Sequence, residues 1–310
     1  MPRGRWNTTR PILKWAGGKR QLLPQLRPYY PDSFERYIEP FVGSGAVFLD
    51  LHTSKRLDGR QVVLSDINAD IIGCYRMVRD AVEDVIAALM TMAEAHGTRG
   101  RRYFYEVRDE RFNPERRRIH SEPNPESRYT PELAAMVIYL NRTGYNGLFR
   151  VNRRGIYNVP AGRVSSRVCD PENLRRVAAA LRRPNLSLGV TTFQQALADA
   201  GAGDFVYLDP PYAPVSRTSY FTAYSSGKFN AAQQSVLQQT VISIAGKGAR
   251  VLLSNSFAPD ISRLYEDNDD ARNAGLTTRT VEARRAINSR ATSRGTVLEY
   301  LITNVSAAGV

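Results

Sequence analysis

One stretch constrains the chain more than any other: Asp204, Phe205, Val206, Tyr207, Leu208, Asp209, Pro210, Pro211 and Tyr212 in succession. Its first half is a β-branched and aromatic run that predicts a short strand. The run stops at a carboxylate followed by two prolines, which have no N–H to give a sheet ladder, so the strand ends there. Asp209, the Pro210 carbonyl and Tyr212 are thereby expected on a stiff turn at a strand's C-terminal end, the edge where open α/β sheets bind ligands. A carboxylate, a free carbonyl and an aromatic face suit a flat ring that carries an exocyclic amino group. Asp209, Pro210 and Tyr212 are the expected catalytic residues.

Two glycine turns precede this stretch. Lys14, Trp15, Ala16, Gly17, Gly18 and Lys19 lead into a helical pattern over 21–26. Paired glycines before a helix let backbone approach a ligand closely, although such a turn is by itself often only a turn. A strand expected over 36–41 runs into Glu39, Pro40, Phe41, Val42, Gly43, Ser44 and Gly45, and a helix over 46–51 follows. Strand, glycine loop and helix form a nucleotide-binding layout. No Gly-Lys-Ser/Thr is present, which favours a nucleoside without phosphates, such as S-adenosylmethionine. Tight strand-to-helix packing through Gly43 and Gly45 would explain the same residues. The next strand, 62–65, ends in Asp66 and Ile67, and an acid at that tip can accept hydrogen bonds from ribose hydroxyls. Asp66 could also serve as a helix N-cap. The candidate cofactor residues along these turns are Ala16, Gly17, Glu39, Phe41, Gly43, Gly45, Asp66 and Ile67. An adenine amino group beside a methyl donor makes N6 methylation the reaction this set suggests.

Between 81 and 169 the βα alternation lapses. Helices are expected over 82–95, 103–112 and 131–141, with a basic loop at 97–102 and an exposed, mobile insertion at 113–129 that is rich in Arg, Pro, Glu and Ser. From Thr143 to Arg163, two short β segments flank Arg153, Arg154 and Gly155, which predicts a hairpin studded with basic and aromatic residues. A two-stranded ribbon fits the DNA major groove, and arginine bonds a guanine edge bidentately. The α/β pattern resumes with a helix over 171–183 and strands at 186–190 and 205–208. A polar stretch at 216–230 is long enough for a lid. A helix at 231–245 and strands at 250–253, 277–283 and 297–303 complete the sheet. The basic link from Arg284 to Arg294 is expected beside a phosphate backbone, and 1–10 and 306–310 are expected to be loose ends.

Charge supports a polyanionic partner. Lys and Arg number 43 against 30 Asp and Glu, a formal net charge of +13 over 310 residues. Two cysteines and three histidines provide no metal cluster or disulfide framework, so no metal is expected. Neither a membrane-spanning run nor an apolar leader is visible, which points to the cytoplasm and, through DNA, to the nucleoid.

Taken in order, the Gly-Gly-Lys turn, the Phe-Val-Gly-Ser-Gly turn, the strand-end Asp66, the basic insertion and Asp209-Pro210-Pro211-Tyr212 resemble the Dam-type (D12 class, alpha group) DNA adenine-N6 methyltransferases. The resemblance runs from about Leu13 to about Leu301. It implies an α/β fold: a doubly wound S-adenosylmethionine-dependent methyltransferase (Rossmann-like) sheet with a reversed final hairpin. Residues 1–78 and 170–310 would form the catalytic domain. Residues 79–169 would be an inserted, mainly helical target-recognition domain carrying the β-hairpin. The resemblance further implies cofactor contacts at Trp15, Lys19, Asp66 and Asp209. It implies entry of Tyr145 and Asn146 into the duplex, guanine reading by Lys14 and Arg150, and Leu148 and Pro160 beside a thymine. Asn152 and Arg163 join the DNA-binding set on the same hairpin. The implied reaction moves the methyl group of S-adenosylmethionine to N6 of a flipped-out adenine in double-stranded DNA, within GATC, by a monomer. Val164 departs from the family, standing where close relatives carry an aromatic residue, and 113–129 is longer than usual. The alternatives are an enzyme of the same class acting on another DNA target, on N4 of cytosine or on rRNA adenine, and a non-catalytic DNA-binding module.

Overall fold

The computed structural model describes residues 9–15, 19–163, 167–213, 229–284 and 296–307. The basic arm before Thr9, Ala16, Gly17, Val164, most of the 216–230 stretch, the basic link after Arg284 and the last three residues lie outside them.

Among the described residues, seven strands form one mixed sheet: β1 (Arg36–Glu39), β2 (Gln61–Asp66), β3 (Leu186–Val190), β4 (Asp204–Leu208), β5 (Arg250–Ser256), β6 (Thr277–Arg284) and β7 (Thr296–Thr303), in the order β3-β2-β1-β4-β5-β7-β6. β1 pairs in parallel with β2 and β4, placing Ile38 opposite Val63 and Val206. β5 continues the parallel run with Leu208 opposite Leu253. β7 then reverses direction against β5 and β6, with Tyr300 opposite Asn255 and Thr280. β4 is buried at every position, as a parallel strand covered on both faces must be. The strand order reverses between β1 and β4, so the chain leaves both at the switch point where such sheets bind ligands.

The described chain falls into two compact units. One takes its residues from Met1–Gly18, Gly43–Arg56 and Asp66–Val190, and the other from Lys19–Val42, Leu57–Ser65 and Thr191–Val310. The core of the second unit joins Ile38, Val206, Leu208, Val251 and Leu253 of the sheet to Leu237, Val241 and Ile244 of a helix at Ala231–Gly246.

The first unit carries α1 (Ala46–Thr53), α2 (Ala69–Asp80), α3 (Val82–Glu106), α4 (Asn113–His120), α5 (Pro131–Thr143) and α6 (Pro171–Leu181). Thr130 caps α5 by accepting from the Leu133 N–H at 3.2 Å, with Pro131 at the first helical position. The loop expected at 97–102 is instead a kink inside α3, where Gly100 takes φ 54° and ψ −133°. The helix continues because Tyr103 and Phe104 beyond the kink pack on Tyr139 of α5.

The exposed insertion expected at 113–129 is also corrected. Polar composition suggested a solvated segment, yet Asn113, Arg116, Ile119, Glu126 and Tyr129 are buried. Their polar groups are consumed internally. Asp70 of α2 accepts from Arg116 Nε at 2.9 Å and from the Tyr129 hydroxyl at 2.7 Å, and lies 2.9 Å from His120 Nε2. Tyr129 presses so closely on α2 that a Cβ on Gly73 would lie 2.2 Å from its ring.

Candidate active site

β4 ends at Asp209, and the turn beyond it is pinned from outside as well as stiffened by its prolines. Gln234 Nε2 donates to the Pro211 carbonyl at 2.9 Å, and the Ser256 hydroxyl donates to the Ala213 carbonyl at 2.8 Å. Asn255 ties these two pins together, donating to Gln234 Oε1 at 3.1 Å while its own Oδ1 accepts from the Ser256 N–H at 2.9 Å. Gln234, Asn255 and Ser256 were missed as supports because they reach the turn from a helix and a strand distant in sequence.

Lys19 is buried beside Asp209, its Nζ 3.1 Å from Oδ1. The same ammonium reaches Glu299 Oε2 at 3.3 Å, bonds the Tyr212 hydroxyl and sits 4.2 Å from the centre of that ring. The Ser254 hydroxyl donates to Asp209 Oδ1 at 3.3 Å. Burial pushes the Asp209 carboxyl up to about 6; Lys19 and Ser254 pull against this, and the Glu299 charge adds to it. Burial also raises Tyr212 well above the ordinary phenol range, with Asp209 and Glu299 adding to the rise, so its ring stays neutral. Two other expected residues of this unit, Glu39 and Phe41, are held by their neighbours. Glu39 is buried and accepts from the Tyr37 hydroxyl at 2.8 Å. Phe41 stacks on Phe193 and meets the edge of Phe229, which gives it a core role.

In the first unit the glycine turn and the strand-end acid form one construction. The Gly43 N–H donates to Asp66 Oδ2 at 3.0 Å, and the Asn68 N–H donates to Oδ1 at 2.9 Å. Gly43 and Gly45 both take positive φ, 44° and 64°. A Cβ on Gly43 would stand 3.0 Å from the Trp15 ring, so glycine is needed for that approach as well. Burial pushes Asp66 up to about 6 despite these backbone donors. Asp66 does not cap α2. Asn68 does, accepting from the Asp70 N–H at 3.0 Å, because the helix starts at Ala69 and a cap must immediately precede it. Ile67 is 62% exposed, an apolar side chain held in the open beside the acid.

The expected hairpin is present only as two isolated antiparallel bridges, Gly144 with Ala161 and Val151 with Tyr157. Regular strands are interrupted because Asn146 and Gly147 take positive φ and Pro160 has no N–H. Side chains replace the missing ladder. The Asn113 amide pairs with both the N–H and the carbonyl of Tyr157 at 2.8 and 3.0 Å, and Arg108 donates to the Val159 carbonyl at 2.9 Å. Lys14 is held at its backbone by Asn141, at 2.6 and 2.8 Å. Burial, then Arg142, lowers the Lys14 ammonium from its usual range. A Cβ on Gly147 would meet Lys14 at 2.5 Å. Tyr145, Asn146, Arg150, Asn152, Pro160 and Arg163 are exposed, and Leu148 is half-buried. Arg150 Nε donates to Asn158 at 2.9 Å, while Asn152 Oδ1 accepts from the Arg154 and Ile156 N–H groups. Asn152 thus spends its oxygen on the turn itself.

A sheet of this order, with carboxylates at the ends of β1, β2 and β4, defines an α/β fold of the S-adenosylmethionine-dependent methyltransferase class. Comparison with known proteins narrows this. Residues 15–287 match the family model of the D12 class N6 adenine-specific DNA methyltransferases. The chain is 34% identical over 296 residues to a type II methyltransferase of Lactococcus lactis subsp. cremoris, covering 95% of each chain. It is 34% identical over 292 residues to the DNA adenine methylase of Serratia marcescens, covering 94% of this chain and 97% of that one. It is 33% identical over 292 residues to the DNA adenine methylase of Escherichia coli K12, covering 94% of each. The chain belongs to the D12 class of N6 adenine-specific DNA methyltransferases.

S-adenosylmethionine is the methyl donor of this family, and the residues present fit it. Asp66 accepts backbone N–H bonds at both oxygens, and a carboxylate of this kind suits further hydroxyl donors. The Gly43 turn leaves no side chain between its backbone and the Trp15 ring. Among the described residues no group of three or more His, Cys, Asp and Glu side chains could hold a metal, and no helix is long and apolar enough to cross a membrane.

Proposed function

We propose that this enzyme methylates the adenine of GATC in double-stranded DNA, acting as a monomer on a base flipped out of the stack. The observation that carries the reading is the Asp209 turn. A half-buried carboxylate sits at the end of β4, and the following backbone is held by Gln234 and Ser256. Adenine N6 is a weak nucleophile because its lone pair is conjugated with the ring. Asp209 and the Pro210 carbonyl would each accept one N–H, favouring a tetrahedral nitrogen whose lone pair is free to attack. S-adenosylmethionine supplies a methyl group on a sulfonium, which leaves the donor neutral. The amine becomes acidic as transfer proceeds, so Asp209 can take the proton late without being a strong base. Tyr212 offers a face for the extruded ring, at an unstacking cost of a few kcal/mol.

We assign the methyl donor to Trp15, Ala16, Gly17, Lys19, Glu39, Gly43, Gly45, Asp66, Ile67 and Asp209, with Phe41 as apolar support. We read 79–169 as the target-recognition insertion. In it, Tyr145 or Asn146 fills the gap left by the base. Lys14 and Arg150 read guanines, Leu148 and Pro160 contact thymine, and Asn152 and Arg163 belong to the same DNA-binding set. The +13 net charge and the exposed Tyr145 support this assignment.

The test expresses the enzyme in a host lacking adenine methylation and digests the DNA with nucleases that distinguish methylated from unmethylated GATC. Protection at GATC is expected, and its loss with Asp209→Ala. Methylation at another sequence would overturn the target while leaving the chemistry intact. A 2-aminopurine probe at the target position should brighten on binding if the base leaves the stack.

A further inference from the structure

We propose that Glu299 is a positioning residue of the transfer site: it anchors the Lys19 ammonium and the Tyr212 hydroxyl together, and so fixes how Tyr212 and Asp209 are presented to the base. The inference rests on the reading of Asp209 given above. Glu299 lies on β7, the reversed strand, opposite Ser256 of β5 and Val281 of β6. Its neighbour Tyr300 turns to the other face of the sheet and packs on Phe257, as the twofold strand period requires.

Donor and acceptor accounting makes the arrangement specific. The Lys19 ammonium has three hydrogens and meets three acceptors: Asp209 Oδ1, Glu299 Oε2 and the Tyr212 hydroxyl. Since Tyr212 accepts from Lys19, its own hydrogen must point elsewhere. It points to Glu299 Oε2, 2.6 Å away. Glu299 therefore closes a ring of bonds in which every hydrogen has one destination. Without it, the Tyr212 hydroxyl could rotate and Lys19 could swing fully toward Asp209. Among the described residues, the groups facing Asp209 are Lys19 and Glu299, the phenols of Tyr207 and Tyr212, and the Ser254 hydroxyl. Of these, Glu299 contributes a negative charge that opposes ionisation of Asp209.

The experiment measures single-turnover methyl transfer from S-adenosylmethionine to duplex DNA against pH for wild type, Glu299→Gln and Asp209→Ala, with thermal melting of each. Glutamine preserves shape and one acceptor but removes the charge. The expected result for E299Q is a transfer rate lowered about tenfold, as for one lost charge-assisted hydrogen bond. DNA affinity and melting temperature should stay as in wild type. The acid limb of the rate profile should move to lower pH, because a charge that raises Asp209 is gone. A wild-type rate with an unmoved acid limb would overturn the proposal. So would a slower enzyme whose limb is unmoved and whose melting temperature drops in step, because that marks a purely structural residue. The Asp209→Ala arm separates the two levels: full activity there defeats the reading of the site, whereas an inactive D209A beside a normal E299Q defeats only the role of Glu299.

Discussion

Each unit of this enzyme sets an aspartate against a cation, and the two have opposite electrostatic outcomes. Asp70 is fully buried and surrounded by donors, with Arg116, His120 and the Tyr129 hydroxyl all directed at it. Burial pushes its carboxyl up, but His120 and Arg116 together outweigh that, and it ends below the ordinary carboxylate range. Asp209 shares one ammonium with a second carboxylate and ends at about 6. Asp70 is compensated and Asp209 is deliberately under-compensated. A carboxylate whose acceptor capacity is already filled by its own chain can only hold structure. One left wanting partners can take them from a substrate, which is why perturbed groups gather at sites of chemistry.

Neutralising each acid should separate these roles. Asp209→Asn should lower methyl transfer by on the order of 10³-fold, the scale seen when one preorganised transition-state contact is removed. Its urea midpoint should hold, since the buried cation keeps Glu299. Loss of stability alongside activity would place Asp209 with Asp70 as a structural acid. Asp70→Asn should do the reverse, costing roughly 3–5 kcal/mol in urea unfolding because Arg116 is left buried and poorly paired. Transfer per folded molecule should remain. A smaller change, Tyr129→Phe, removes one hydrogen bond to a charged group and should cost about 1.5–3 kcal/mol in the same assay.

The mildest probe is pH. Asp70 has a folded pKa below the unfolded value, so its stabilisation is complete above the unfolded pKa and fades only as pH falls through the folded one. Asp209 is raised, so its ionised form costs stability above about pH 6, and protonation on the way down relieves that cost. Transfer should therefore decline below about pH 6 while circular dichroism still reports a folded enzyme. Asp66, also raised to about 6, titrates in the same window, so an acid limb that persists in Asp66→Asn is required to attribute it to Asp209.

Much of this was legible in the chain. The prolines after Asp209 set the end of β4, and the glycines at 43 and 45 marked a turn that needs positive φ, because these are local backbone constraints. The last two strands were also expected from the chain, whereas their reversal was implied only by the family resemblance. The segment 113–129 misled for a definite reason: composition reports solvation only when charges face water, and here Arg116 finds its partner 46 residues away. The hairpin misled in a similar way, since Asn113 supplies hydrogen bonds that a ladder would otherwise give Tyr157.

The sequence by itself determined where strands stop, where backbone must bend and which side chains could do chemistry, because those follow from the residues next to one another. Tertiary structure alone decided which carboxylate is satisfied and which is left reactive. That depends on Lys19, Tyr212 and Glu299 meeting across 280 residues of chain, and on Asp70 meeting three partners that no local pattern connects to it. Charge in a folded protein is set by neighbours in space, and spacing along the chain does not fix them.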